Sequence, residues 1–221
     1  PAVLDRALAL ADYRGFAARK AATKRRGLLR GIAVGCYLEV TAGGSELGKI
    51  TFDDDHVTIT TGTLDFGQGH ATPFAQVFGE RLGVPFEAIR LEQSDSDLVH
   101  TGGGTGGSRS IMTSGAAIVE AADLVIATGR TAAAHLFEAA ESDIEFAHGR
   151  FAVAGTDRGI GVMELARRLK HEAPRDGLPA SLDVHHKSKS VASAFPNGCH
   201  IAEVEVDPAT GAVTVASYTS V

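Results

Sequence analysis

The chain has 221 residues, 44% of them hydrophobic and 22% charged, with two cysteines, no tryptophan and a formal net charge of −6. That composition belongs to a folded chain long enough to close one large core or two small ones, and it excludes a disordered tail. Cys36 and Cys199 belong to no C-x-x-C pair, which excludes a disulfide framework and a Cys-ligated iron–sulfur cluster, so redox chemistry has to come from a bound cofactor. No run approaches the roughly 18–20 consecutive apolar residues of a membrane span. The start, Pro1-Ala-Val-Leu-Asp-Arg, has neither an initiator Met nor a signal-peptide apolar core, so a processed end or an excised piece is expected.

Residues 1–30 carry eight Lys/Arg and two Asp, while the rest of the chain is acidic. Leu4, Ala7, Leu8 and Ala11 lie at helical spacing, which predicts an amphipathic helix over Leu4–Lys20 with the basic residues on a solvated or partner-facing surface. Aromatic residues do not alternate with the basic ones, so no nucleic-acid partner is expected. Gly31–Val40 reads as a buried strand. Gly48–Phe52 and His56–Thr61 read as a hairpin around Asp53-Asp-Asp. After Gly62-Thr-Leu-Asp-Phe-Gly-Gln-Gly-His the period switches, and Thr72 as N-cap, Pro73 at N1 and Gly83 past the end define a helix.

Glu87–Gln93 is the next strand. A second glycine loop, Gly102–Ser110, then opens a long Ala-rich helix over residues 110–140, in which Gly115 and Gly129 predict close packing. A hairpin over 143–154 turns at His148-Gly149, a short helix covers Val162–Lys170, and a final hairpin spans His200–Val221. Strands, glycine loops, helices and hairpins in this order predict an α+β fold with mixed sheets. The expected division is a cofactor-binding lobe over 1–173, a linker at 174–180 and strands of a following, incomplete lobe over 181–221.

Eight of the 26 glycines lie in the two helix-entry loops: Gly62, Gly67 and Gly69, then Gly102, Gly103, Gly104, Gly106 and Gly107. A helix N-terminus offers unpaired amides and the positive end of the dipole to an anion. In the second loop Ser108 and Ser110 add hydroxyls, and Arg109 adds a fork that matches phosphate. In the first, Gln68 stands between two glycines and is expected to present its amide beside free peptide N–H groups, with His70 next to it. Standard nucleotide fingerprints fit poorly. Gly102, Gly104 and Gly107 satisfy G-x-G-x-x-G only within a run of glycines, and Asp123 falls inside a helix rather than at a strand end. The Gly-Lys-Ser/Thr of a P-loop is missing.

Several segments in order carry a resemblance over nearly the whole chain. They are Arg30-Gly-Ile-Ala, Thr61–Thr72, Ala75-Gln76 with Arg81-Leu-Gly-Val-Pro, Gly104-Thr-Gly-Gly-Ser-Arg-Ser, Asp143-Ile-Glu-Phe-Ala and Phe195–Gly211. Together they resemble the molybdenum cofactor-binding large subunit of the xanthine dehydrogenase, aldehyde oxidase and carbon monoxide dehydrogenase family. The resemblance implies one lobe of a molybdenum cofactor-binding domain, holding molybdopterin or its cytosine dinucleotide. Gly67, Gln68 and Gly69 would approach the metal and its dithiolene, with Gln68 near a molybdenum oxygen and His70 beside it. Thr105, Gly106, Gly107, Ser108, Arg109 and Ser110 would hold the phosphate end. The metal is held by the pterin, so no protein ligand is expected.

The implied activity is hydroxylation of an aldehyde, N-heterocycle or related carbon centre, or oxidation of carbon monoxide, with oxygen taken from water. The family's glutamate base lies in a Gly-Glu-Gly-like motif that this chain lacks. Glu39, Glu80, Glu120, Glu203 and Glu205 are assigned to strand or helix surfaces. A piece of a larger subunit is therefore expected, inactive alone, completed by the remainder of that subunit and by partners carrying 2Fe–2S clusters and FAD. The implied location is cytoplasmic, with a periplasmic one through a partner subunit as the alternative. The competing reading is a non-catalytic α+β module binding a nucleotide or anion at its glycine loops.

Overall fold

A computed structural model describes residues 2–172 and 177–221, so residues 174–176 of the expected linker lie outside the described residues. The chain opens with α1 (Ala2–Leu10), α2 (Phe16–Arg25) and β1 (Leu29–Leu38). Then follow β2 (Leu47–Phe52), β3 (Val57–Thr60), α3 (Ala71–Leu82), β4 (Ile89–Glu92) and α4 (Ser110–Phe137). The remaining elements are β5 (Ile144–Ala147), β6 (Arg150–Val153), β7 (Gly159–Gly161), α5 (Val162–His171), β8 (Val184–Lys187), β9 (Asn197–Val206) and β10 (Val213–Ser220). They form two compact units: residues 1–40 with 195–221, and residues 41–194. The expected α+β class with mixed sheets is what the structure shows.

The first unit is an antiparallel sheet of order β1-β9-β10. Alternation along β9 buries Cys199, Ile201 and Glu203, and the first two pack with Ala7 of α1. Three expectations change here. The helix expected over Leu4–Lys20 breaks after α1, because Asp12 takes a left-handed conformation (φ 44°) and its carboxylate caps Gly15 N–H. The strand expected to be buried is an edge strand, and it is exposed from Ala33 to Leu38. The basic residues are only partly a free surface. Arg19 and Arg30 both pair with the buried Glu203, while Arg26, Arg30 and Thr23 engage Glu205. Cys36 stands opposite Cys199 in register, both as free thiols, and burial pushes the Cys199 thiol up.

In the second unit a four-stranded sheet runs β4-β3-β2-β8, with β3 and β4 parallel and the other pairs antiparallel. A parallel pair needs a crossover, and here it is the first glycine loop followed by α3. A second sheet, β5-β6-β7, is antiparallel, and its hairpin turns on His148 and Gly149, both at positive φ (49° and 76°). The strand β7 was not legible from its three residues. The strands grouped in sequence over 181–221 divide between sheets: β9, with β10 as its hairpin partner, pairs with β1, whereas β8 pairs with β2. These pairings span more than a hundred residues, and no local pattern encodes them.

The helix α4 organises this unit. Ile118, Ala121, Ala122 and Val125 have no exposed surface and join Ile50, Ile59, Phe74 and Phe78 in one core. By length and composition Ser110–Phe137 could cross a membrane, and half of its apolar window is buried inside the unit, as in the core helix of a folded domain. Gly48 lets β2 meet α4 closely, since a Cβ there would stand 2.5 Å from Ala117 O. Gly129 does the same for Phe151, at 2.2 Å from the ring, whereas Gly115 meets only its own helix neighbour Ile111. Thr72 lies inside α3 rather than capping it, because the helix starts at Ala71 with His70 as N-cap.

Hydrogen bonds from Arg19 and then Arg30 hold the Glu203 carboxyl below its ordinary range. A depressed carboxyl contributes stability above its unfolded pKa of about 4.3, and that contribution is lost as pH falls through the lower folded value. Thermal unfolding followed from about pH 7 down to about pH 2 should therefore show an acid limb that Glu203→Gln flattens. Arg30→Ala, which removes a charged hydrogen bond from a buried carboxylate, should cost about 2–3 kcal/mol at neutral pH in denaturant unfolding.

Candidate functional site

Both glycine loops lie in the second unit and enter helix N-termini, as their spacing predicts. In the first loop, Gly67 and Gly69 have positive φ (106° and 75°), a conformation that suits glycine. The amides do not stay free. The Asp65 carboxylate accepts from Gly67 N–H at 2.7 Å, Gly69 N–H at 3.2 Å and His70 N–H at 2.6 Å. The loop thus carries its own anion, and the Gly67 amide first, then that of His70, holds the Asp65 carboxyl below its usual range. This corrects the expectation that the amides beside Gln68 are accessible. Gln68 itself is exposed at the loop tip, with its side-chain carbonyl accepting from Phe66 N–H. His70 points inward, 5% exposed, stacked on Phe74 with ring centroids 5.1 Å apart.

The second loop is stitched to the first. Gly62 and Gly102 touch backbone to backbone: a Cβ on Gly62 would lie 2.2 Å from Gly102 Cα, and one on Gly102 would lie 2.4 Å from Gly62 Cα. Gly104 N–H donates to Gly62 O at 3.2 Å. The Thr105 hydroxyl donates to Leu64 O at 2.6 Å, accepts from Leu64 N–H at 2.9 Å and lies 3.1 Å from the Ser110 hydroxyl. Beneath the loops, Gln93 donates to Thr61 and Thr63, faces His70 Nδ1 at 3.4 Å, and Thr63 continues the network to Ser114 at 2.9 Å. An open cleft of about 420 Å³ runs alongside, lined by Gly62, Leu64, Asp95, His100, Gly102 and Gly104 among others.

Arg109 sits at the entrance of α4, whose first intrahelical bond runs from Thr113 N–H to Arg109 O, so the amides before Thr113 have no partner inside the helix. Its Nη1 donates to Gly103 O at 3.1 Å, Nη2 stands 3.9 Å from Glu46, and Nε is buried with no partner. Gly107 O accepts from Ala42 N–H, and Gly107 and Ser108 both have positive φ (57° and 54°). Gly106 differs from the other glycines of the second loop. Its φ is not positive and a Cβ there would meet nothing within 4 Å, so no described atom requires it to be glycine.

The site can therefore present to a ligand the amides and hydroxyls at the α4 N-terminus, a guanidinium with an unsatisfied donor, and an exposed amide side chain. Among the described residues no group of three or more His, Cys, Asp or Glu side chains could hold a metal ion directly. Of the carboxylates read from sequence, Glu39 and Glu80 are exposed, Glu120 bonds His186 at 2.7 Å, and Glu203 and Glu205 serve the arginines of the first unit. Three residues of the site escaped the sequence reading: Glu46, Asp65 and Gln93. Only Asp65 had a local signal, an acidic side chain two residues before a glycine turn, where Asp commonly caps amides.

Two glycine loops thus meet ahead of two helix N-termini, the first closed by its own carboxylate and the second with helix-entry amides and a guanidinium beside it. The chain belongs to the molybdopterin cofactor-binding domain family, whose pattern matches residues 6–221. It is 33% identical to the carbon monoxide dehydrogenase large chain of Hydrogenophaga pseudoflava, over 97% of this chain and 29% of that one. It is 29% identical to the nicotine 6-hydroxylase large subunit of Paenarthrobacter nicotinovorans, over 99% and 29%. The solved structure of reconstituted CO dehydrogenase from Oligotropha carboxidovorans matches with a TM-score of 0.82 and 27% identity, over 99% of this chain and 30% of that chain. The chain thus spans less than a third of the length of these relatives.

Removal of the internal carboxylate should open the first loop without unfolding the domain. In Asp65→Ala, amide exchange at Gly67, Gly69 and His70 should accelerate by about tenfold or more while the melting temperature stays close to the parent value. Acid should act in the same direction: loop order is complete above the ordinary aspartate pKa of about 3.9 and is lost as pH falls through the depressed folded value.

Proposed function

We propose that this chain is the cofactor-binding part of a molybdenum hydroxylase catalytic subunit, with the phosphate end of a molybdopterin, in its cytosine dinucleotide form, on the second glycine loop. The observation that carries this reading is the Arg109 environment: a guanidinium with a buried, unpartnered Nε beside a loop in which Gly106 has no internal reason to lack a side chain. An orphaned donor and an open glycine fit an anion that approaches the backbone closely. Thr105, Gly106, Gly107, Ser108, Arg109 and Ser110 would hold that end. Gln68, exposed between Gly67 and Gly69, would reach toward the metal, while His70 would support the loop from inside.

When bound, the molybdenum centre supplies the two-electron oxidation chemistry, and the protein supplies binding, orientation and electrostatics. Asp65 and Glu46 both hold backbone amides of the loops, and the general base would come from outside these residues. The relatives' names motivate carbon monoxide or an N-heterocycle as the substrate, and the family resemblance adds an aldehyde. The further chains proposed are the rest of a large subunit and iron–sulfur and flavin partners.

Metal analysis of the purified active protein should find molybdenum together with a releasable pterin cytosine nucleotide; active protein free of molybdenum would refute the reading. Arg109→Ala and Gly106→Ala should each retain about tenfold less pterin phosphate after gel filtration, with melting temperatures near the parent value, while Gln68→Ala should keep the cofactor and lose turnover. Full cofactor occupancy in both loop variants would remove the phosphate role.

A further inference from the structure

Among the described residues two carboxylates are buried, Glu46 and Glu203, and they are satisfied differently. Glu203 meets two arginines directly. Glu46, with no exposed side-chain surface, accepts instead from two peptide amides, Leu47 N–H at 2.9 Å and Gly103 N–H at 2.8 Å. The nearest cation, Arg109, is 3.9 Å away, too far for a hydrogen bond. Burying a carboxylate is costly unless it is hydrogen-bonded and its charge is compensated, and here two amides do the first and the nearby Arg109 the second.

What Glu46 defines is the Gly103 peptide. Both peptide groups that flank the Gly103 Cα are engaged: the Gly103 N–H donates to Glu46, and the Gly103 carbonyl accepts from Arg109 Nη1 at 3.1 Å. The same carboxylate closes against the first loop, since a Cβ on Gly62 would lie 2.4 Å from Glu46 Oε1. Gly103 has no room for a side chain either: a Cβ would lie 2.2 Å from Arg109 Nη2. Glu46 therefore stands at the junction of both loops, fixed just ahead of β2 by its own N–H donating to the Ser188 hydroxyl at 2.9 Å.

We infer that Glu46 is a positioning residue for anion binding: it fixes the Gly103 peptide and, through it, the place and orientation of the Arg109 guanidinium. This rests on the reading of Arg109 as the phosphate-binding residue. Inorganic pyrophosphate serves as the probe, titrated calorimetrically into the whole protein freed of cofactor, for Glu46→Gln, Arg109→Ala and the double variant. Glu46→Gln turns one amide acceptor into a donor and should weaken pyrophosphate binding by about tenfold, the scale of a lost outer-shell contact. Because the effect runs through Arg109, the double variant should bind no more weakly than Arg109→Ala alone.

Additive losses, or parent-like binding by Glu46→Gln while Arg109→Ala is impaired, would overturn the positioning role and leave the phosphate reading standing. Parent-like binding by Arg109→Ala, or no binding by the parent protein, would overturn both. Should Glu46→Gln fail to fold, Glu46→Asp gives the same test. It keeps the buried charge, falls short of Gly103 by one methylene, and should show the same loss that vanishes in the Arg109→Ala background.

Discussion

The contact on which the second unit depends is between two glycines, Gly62 and Gly102, whose backbones approach so closely that a methyl group on either would overlap the other. Gly62 follows β3 and Gly102 opens the second helix-entry loop, so their contact joins the two loops that lead into α3 and α4. The hydrogen bonds from Gly104 to Gly62 and between Thr105 and Leu64 then lock the two loops in register. Without that approach there would be two separate helix starts, each a common feature of folded proteins, and no shared site.

Charge is handled by two different devices. In the first unit, carboxylates on β9 meet Arg19, Arg26 and Arg30, so three of the eight basic residues of the N-terminal segment are consumed internally. In the second, the carboxylates of Asp65 and Glu46 accept from peptide amides and so shape backbone rather than neutralise side chains. The consequence is an asymmetry between the loops. The first already holds an internal anion and offers a side chain, Gln68, at its tip; the second keeps Arg109 incompletely satisfied at a helix N-terminus. A ligand with a negatively charged end and a distinct reactive end matches that division.

The glycine loops, the start of α4 at Ser110, the Gly83 helix end in left-handed conformation and the hairpin turn at His148-Gly149 all follow from chemistry within a few residues. The Leu4–Lys20 helix failed because Asp12 and Gly15 interrupt a good hydrophobic period with a cap of their own. Thr72 is not the cap because the first intrahelical bond already runs from Phe74 N–H to the carbonyl of His70, two residues earlier. Glu46 gave no signal at all. Its partner Gly103 lies 57 positions away, and an isolated glutamate ahead of a strand reads as solvated surface.

The amino-acid sequence by itself determined most of the elements and their order: two strand, glycine loop and helix passages, several hairpins, and Gln68 with Gly106–Ser110 as candidates for ligand contact, to which the family resemblance added Thr105. Hydrophobic period, turn chemistry and cap residues are short-range properties, so they are written in neighbouring positions. Only the tertiary structure decided that β8 joins β2 while β9 joins β1, that the loops meet through Gly62 and Gly102, and that Asp65 fills one nest while Glu46 supports the other. Those outcomes depend on which distant backbones come within hydrogen-bonding distance, and that is set by the packing of the whole core around α4.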